Sequence, residues 1–440
     1  MNKGLKTELT SNCDNYLLAS ALDTLEYPRH RWYFVKEAFS PDLVMQALKE
    51  SDCTPGNLII DVFCGGGTVP LTAASNGFDA IGFEVNPFLA FVAKSKLLQC
   101  RINSLEKYVT LLINGAQIGA NSNLKGFSTF TKIEGSNKWL FNDEVLNAFE
   151  GSWQASLGMP MPFRDLLRLS SIAAALDVCN AVKDGKCLRY RNDWGDHNFK
   201  REDFIKALNK RIQMIREDIT SNPLKGKKAK VLVADSRALD AVYPDKRKFK
   251  LCISSPPYLN SFDYSDIYRP ELFLGKFMRT NRGLRGLRLK TVRSHMQVDW
   301  SFTEDKELSN VLDQSFSKIK ENEEHLWNKR IPEMIQAYFE DMKVVLTKLK
   351  RFASEEASVW FVVSTSAYAG FEIPVDLILA DIGSKAGWSL REVKAISCLR
   401  RVPGQQYDRL SENGNKSPNL RESIVIFENK PRLKYYIFRA

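Results

Sequence analysis

No stretch of this 440-residue chain approaches the ~20 consecutive apolar residues that a membrane helix needs. The first residues, Met1-Asn2-Lys3-Gly4-Leu5-Lys6-Thr7-Glu8, lack the apolar segment of a signal peptide. The eight cysteines are scattered, with no Cys-x-x-Cys pair and no Cys/His metal spacing. That pattern excludes a disulfide framework and a structural zinc site. A cytoplasmic, reduced compartment is expected, with no metal and no membrane partner. No internal repeat or low-complexity tract is evident, so repeat architectures are set aside.

What the chain does have is length and positive charge. Its 440 residues exceed a typical single domain, and its apolar content of 44% is that of a globular protein. Lys and Arg number 63 against 52 Asp and Glu, a net +11. That balance suits a polyanionic partner, although many basic proteins bind no nucleic acid.

Two segments carry chemistry. In the first, Leu58 to Phe63 reads as a strand, Gly65-Gly66-Gly67 as a turn, Thr68 to Asn76 as a helix, and Ala80 to Phe83 as a second strand ending at Glu84. This is a βαβ unit with a glycine turn and an acid about 20 residues on. Glycine lets backbone pass close under a ligand, and the acid can accept both hydroxyls of a ribose. A dinucleotide-binding enzyme fits less well, because Pro70 occupies the third glycine position.

In the second, the apolar run Lys250 to Ile253 leads into Ser254-Ser255-Pro256-Pro257-Tyr258. Neither proline has an N–H and both fix φ, so the backbone is stiff and its carbonyls are available. Ser255 adds a hydroxyl acceptor and Tyr258 a ring on which a planar base can stack. A nucleobase amine is a poor nucleophile, since its lone pair is delocalised into the ring. Two acceptors gripping its hydrogens would localise that lone pair. The bland alternative is a turn with two prolines before an aromatic.

Together these segments resemble the S-adenosylmethionine-dependent DNA amino-methyltransferases, whose fourth motif reads Ser/Asp/Asn-Pro-Pro-Tyr. The pattern Asp-x-Phe-x-Gly-x-Gly-Thr, then Gly-x-Glu-x-Asn-Pro, resembles their motifs I and II, with Val62 and Gly66 as departures from Pro and Ser. Phe39-Ser40-Pro41 matches motif X by position, and a capped core helix explains those three residues equally well. The resemblance implies a class I, Rossmann-like α/β sheet with helices on both faces and a closing antiparallel strand. It implies S-adenosylmethionine as cofactor, held by Phe39, Ser40, Pro41, Asp61, Phe63, Gly65, Gly67, Thr68, Glu84, Asn86, Asp235 and Ser236. It implies Ser255, Pro256, Pro257 and Tyr258 as the catalytic set.

The third strand of such a core, Val231 to Val233 before Asp235, arrives late. Residues 98–228 are read as an inserted, mostly helical subdomain, with Phe163 to Asn180 and Phe204 to Ile219 at helical spacing. The remaining boundaries are an arm over 1–30 and a catalytic domain over 31–97 and 229–440. A helix over Glu324 to Phe352, a strand over Ser358 to Ser364 and a helix over Pro374 to Ala386 follow. Two strands, Leu390 to Cys398 and Glu422 to Phe427, joined by a polar loop over Ser411 to Pro418, close the sheet.

Basic residues interleave with aromatics over Lys183 to His197, including Arg189 and Arg191. Lys276 to His295 is basic with no acid, and Gly283 and Gly286 make it loop-like; the basic segment is bounded at 276–330. Arg282, Arg285, Arg288, Lys290 and Arg293 are the candidate phosphate contacts there, against the reading of a solvated face.

The expectation is a site-specific methyltransferase of duplex DNA acting on cytosine N4 in a restriction-modification or related defence system, with a cognate endonuclease or defence proteins as companions. Ser before Pro-Pro-Tyr favours cytosine; adenine N6, an RNA base amine and an inactive nucleic-acid-binding scaffold stay open. Carbon-5 methylation is disfavoured, because it needs a Cys nucleophile, typically in a Pro-Cys pair, and no cysteine follows a proline.

Overall fold

A computed structural model describes residues 16–183, 188–224, 228–298, 307–398 and 420–430. The expected loop over Ser411 to Pro418 lies outside the described residues.

Seven strands form one sheet: β1 (Leu58–Asp61), β2 (Asp79–Glu84), β3 (Ala229–Val233), β4 (Phe249–Ser254), β5 (Ala353–Ser364), β6 (Ser389–Cys398) and β7 (Arg421–Glu428). Their order is β3-β2-β1-β4-β5-β7-β6. Pairing is parallel through β5, while β7 runs antiparallel to both β5 and β6. This is the class I methyltransferase sheet. The chain winds outward from β1 through β2 to β3, then returns to β4 on the other side. The crevice between the ends of β1 and β4 is therefore the topological switch point, where open α/β sheets hold ligands.

The central strands are buried on both faces, as their unbroken apolar runs predict. Alternate residues serve opposite layers. Ile59, Ala80, Leu251 and Ile253 pack with helices α1 (Pro41–Glu50) and α2 (Thr68–Ser75). Leu58, Ile60, Ile81 and Cys252 pack with the long helix Ile331–Phe352 and with Val375–Lys385. The long helix starts at Ile331 rather than near Glu324, because Pro332 suits its first turn and not its interior. Ser40 caps α1 with Pro41 at its first position, as the sequence indicates.

Residues 98–228 are mostly helical: α4 (Ile102–Ile118), α5 (Asp143–Ala155), α6 (Phe163–Asp177) and α7 (Arg201–Ser221) surround a short hairpin, 181–183 with 188–190. Their core is continuous with Phe88 and Val92 of α3 (Pro87–Lys96) and with Leu272, Phe273, Leu284 and Leu287. The helical layer and the segment after β4 thus share one apolar interior.

The glycine-containing basic stretch is a correction to the loop reading: Asn281–Arg288 is a helix, α8, capped by the Thr280 side chain. Leu284 and Leu287 are buried on one face. Burying two leucines contributes about 1.5–3 kcal/mol each and outweighs the ~1 kcal/mol helix penalty of each glycine.

Candidate active site

A cavity of about 370 Å³, within the usual range for ligand sites, opens at the switch point. The first wall comes from the β1 turn and the end of β2, with Asp61, Phe63, Gly65, Thr68, Glu84 and Asn86. The second is Ser255, Pro256, Pro257 and Tyr258 after β4, with Asn260, Phe262 and Tyr264 beyond them. The two halves found separately in the sequence therefore face one space.

Asp61 ends β1 and is buried. Its Oδ1 accepts from the Ser254 hydroxyl at 2.5 Å and from Phe63 N at 3.0 Å. Burial pushes its carboxyl up to about 7, against these hydrogen bonds. Glu84 ends β2. Its Oε2 accepts from Gly65 N at 2.7 Å and its Oε1 from Asn86 N at 2.8 Å. Burial likewise pushes Glu84 up to about 7. The acid fixes the glycine turn while keeping lone pairs for a ligand.

Within the turn the glycines answer different demands. Gly65 has φ +50 and open space where a Cβ would stand. At Gly66 a Cβ would meet Val35 Cγ2 at 2.5 Å. At Gly67, with φ +86, it would meet Ala93 Cβ of α3 at 2.7 Å. Gly67 does not line the cavity, so its absent side chain serves helix packing rather than ligand approach.

Three other expected cofactor residues stand off the cavity lining. Phe39 lines it, but Ser40 and Pro41 do not. The Ser40 hydroxyl donates to Asp23 and accepts from Asp42 N, which is a helix cap. Ser236 lines the cavity, whereas Asp235 does not. The Asp235 carboxylate instead accepts from Arg237 Nη2 at 2.7 Å and from Arg237 N at 2.9 Å.

The Ser255 hydroxyl donates to Val362 O of β5 at 3.1 Å. The Tyr258 hydroxyl donates to Glu422 Oε1 at 3.4 Å, and burial raises the phenol well above its ordinary range. Glu37 and Glu422 line the cavity and were not singled out in the sequence. Glu37 lies two residues before Phe39, and its Oε2 accepts from the Tyr268 hydroxyl at 2.7 Å. Glu422 is the second residue of β7, and only the antiparallel return of that strand brings it to this end of the sheet.

Four carboxylates, Glu37, Asp61, Glu84 and Glu422, thus line one cavity in a chain of net charge +11. Asn86 lines the cavity as well, and its Nδ2 is buried without a hydrogen-bond partner. An acid-rich cleft with a spare donor fits a ligand that carries a sulfonium, an ammonium, ribose hydroxyls and a carboxylate. S-adenosylmethionine has that constitution.

The candidate nucleic-acid contacts divide sharply. Arg189, Arg282, Arg285 and Lys290 are exposed, and Lys290 also lines the cavity. Arg191 Nε donates to Cys179 O at 2.9 Å. Arg288 Nε donates to Asp263 Oδ2 at 2.6 Å, and Arg293 Nη2 to Asp341 Oδ1 at 2.9 Å and Glu340 Oε2 at 3.1 Å. These last three arginines are committed to internal partners.

No protein-family model matches the chain. It is 26% identical to the Type II methyltransferase M.BsoBI of Geobacillus stearothermophilus, over 91% of this chain and 85% of that one. It is 25% identical to the Type II methyltransferase M.AvaI of Nostoc sp., over 91% of this chain and 86% of the relative. Among solved structures, the rRNA methyltransferase aviRa from Streptomyces viridochromogenes aligns at 12% identity, covering 97% of this chain and 94% of that one with a TM-score of 0.30. That likeness is too weak to argue from, and the strand order carries the fold. With that strand order the chain has the class I methyltransferase fold, its acid-lined switch-point cavity suits S-adenosylmethionine as cofactor, and the relatives it matches along most of its length are Type II methyltransferases.

Proposed function

We propose that the chain methylates the exocyclic N4 amine of cytosine in duplex DNA, as the site-specific modification enzyme of a restriction-modification system. The observation that carries this reading is the direction of the Ser255 hydroxyl. Its one proton goes to Val362 O at 3.1 Å, so the oxygen lone pairs are left for a donor in the cavity. A base amine is such a donor. Pro256, without an N–H, leaves its carbonyl as the second acceptor beside it.

The target base has to leave the duplex to reach this cavity, since its amine is otherwise stacked and paired. Tyr258 offers the stacking face, and Phe262 and Tyr264 close the apolar side. Ser255 and Pro256 draw on the amine hydrogens and so hold the nitrogen lone pair out of the ring. Asp61, Glu84 and Asn86 position the donor, whose sulfonium supplies an electrophilic methyl when bound. Much of the acceleration then comes from holding amine and methyl in line.

Exposed Arg282 and Arg285 on α8, with Arg189 on the hairpin of the helical layer, are the phosphate contacts in this reading. A restriction endonuclease of the same specificity, in a shared cytoplasm, is the expected companion.

The test is mass spectrometry of nucleosides from DNA methylated by the purified enzyme. 4-Methylcytosine is the expected product. 6-Methyladenine would move the reading to the adenine amine, and 5-methylcytosine would end it. Methyl transfer to RNA in place of duplex DNA would reassign the substrate. Ser255→Ala is expected to lower the transfer rate more than cofactor affinity, because its bond matters most as the amine rehybridises.

A further inference from the structure

Methyl transfer to an amine leaves a proton to be placed. In the step read above, the nitrogen lone pair forms the new N–C bond and the S–C bond pair stays with sulfur. One N–H bond pair then returns to nitrogen as its proton departs. Ser255 already gives its hydroxyl proton to Val362 O, and Pro256 offers only a neutral carbonyl. Neither is a base strong enough to keep a proton at neutral pH. Asp61 and Glu84 lie on the β1 and β2 wall, both tied to backbone N–H groups of the cofactor turn.

Glu422 is placed differently. It pairs across the sheet with Ser364 of β5 and Ser397 of β6, neither of them titratable. It lines the cavity together with Ser255 and Tyr258. Its Oε1 accepts from the Tyr258 hydroxyl at 3.4 Å, which leaves Oε2 for another donor. Adjacent Arg421 is turned to Glu372 and Asp376, so no cation among the described residues pairs with Glu422. We propose that Glu422 is the catalytic base that takes the proton leaving the target amine. This assignment rests on the reading that Ser255 to Tyr258 hold a base amine.

Burial raises the Glu422 carboxyl above its ordinary range, against the Tyr258 hydrogen bond, which moves its basicity toward neutral pH. Other titratable groups share the cavity: Tyr258 and Tyr264 after β4, Lys36 and Glu37 on the N-terminal wall, and Lys290 and His295 after α8. A Glu422 titration is therefore separated from theirs by substitution.

The experiment uses the full chain, labelled S-adenosylmethionine and a duplex carrying the site mapped from product DNA. Single-turnover transfer is followed from pH 5 to 9 at saturating cofactor and DNA. A second duplex carries 2-aminopurine at the target position and reports base capture by fluorescence. Glu422→Gln is expected to slow transfer by about 10²–10⁴-fold, the usual span for a general base, with base capture unchanged within about twofold. The acidic limb of the wild-type profile should vanish in Glu422→Gln and shift in Glu422→Asp. Wild-type rate, capture and pH profile retained in Glu422→Gln would overturn the assignment. Base capture lost in step with rate would reduce Glu422 to a support for Tyr258 and also overturn it. Should Glu422→Gln fail to fold, Glu422→Asp carries the test: an acidic limb shifted from that of the wild type supports the assignment, and an unshifted profile at wild-type rate overturns it. If wild-type product carries its methyl on no base amine, the underlying reading has failed instead.

Discussion

The Ser254 hydroxyl donates to Asp61 Oδ1 at 2.5 Å, joining the end of β4 to the end of β1. Phe63 N donates both to that carboxylate and to the Ser254 oxygen, at 3.0 and 2.9 Å. One buried serine therefore ties the strand that leads into Ser255 to Tyr258 to the turn on the other wall of the cavity. The two motifs were found about 190 residues apart in sequence, and their relative placement depends on this contact as well as on the parallel pairing of Ile60 with Cys252.

Ser254→Ala is accordingly expected to weaken cofactor binding without removing any group that lines the cavity. The loss should be about 1–3 kcal/mol, the cost of leaving a buried carboxylate short of one hydrogen bond. Titration calorimetry with S-adenosylmethionine checks this. Unchanged affinity in a folded variant would show that the strands alone set the geometry.

The pH dependence of binding follows from Asp61 and Glu84. Both are pushed by burial to about 7, from ordinary values of 3.8 and 4.5. The folded apo-protein therefore holds protons there that the unfolded chain releases. Their contribution to stability is fully present below about pH 4 and is lost as pH rises through about 7. A cationic ligand favours the ionised carboxylates, so its affinity should run the other way, rising with pH up to about 7 and levelling above. Calorimetry in buffers of different ionisation enthalpy should show proton release on binding at pH 6 and little at pH 8.

Much of this was legible in the chain. The strands β1 and β4 are short apolar runs because both faces are covered, and the chemistry sits at their ends because that is where backbone emerges from the sheet. Ser40 with Pro41 reads as a helix cap because capping is local. The features that were not legible depend on the rest of the fold. Arg237 stands two residues from Asp235, but its second partner, Asp341, lies 104 residues on and cannot be read locally. Glycines at 283 and 286 read as a loop until Leu284 and Leu287 find a core made by another segment. Glu422 reaches the cavity only through the antiparallel return of β7.

Gly67 separates packing from ligand approach. A Cβ there would stand 2.7 Å from Ala93 Cβ, and φ +86 already disfavours any side chain. Gly67→Ala should cost about 1–3 kcal/mol of folding stability through overpacking and strain. Gly65→Ala meets open space and carries only the cost of φ +50, so it should be the milder change. Urea unfolding of the two variants compares them. A Gly67→Ala protein as stable as wild type but unable to bind cofactor would return Gly67 to the ligand path.

The arginines after residue 280 should fall into two classes. Arg282 and Arg285 lie exposed on α8, opposite its buried Leu284 and Leu287. Phosphate contact by both predicts that Arg282→Gln with Arg285→Gln lowers the salt slope of DNA binding by roughly 2, about one per contact, and leaves folding unchanged. Arg293 instead reaches Glu340 and Asp341, both buried. Arg293→Ala leaves those carboxylates short of a partner, and stability should fall by about 1–3 kcal/mol, less than for an isolated buried pair because Arg237 still holds Asp341 at 3.0 Å. Filter binding across a salt series and thermal unfolding on the same variants test both halves. A slope unchanged in the double variant would return α8 to a solvated face, and a stable Arg293→Ala with a reduced slope would place the phosphate contact at Arg293, beyond the end of α8.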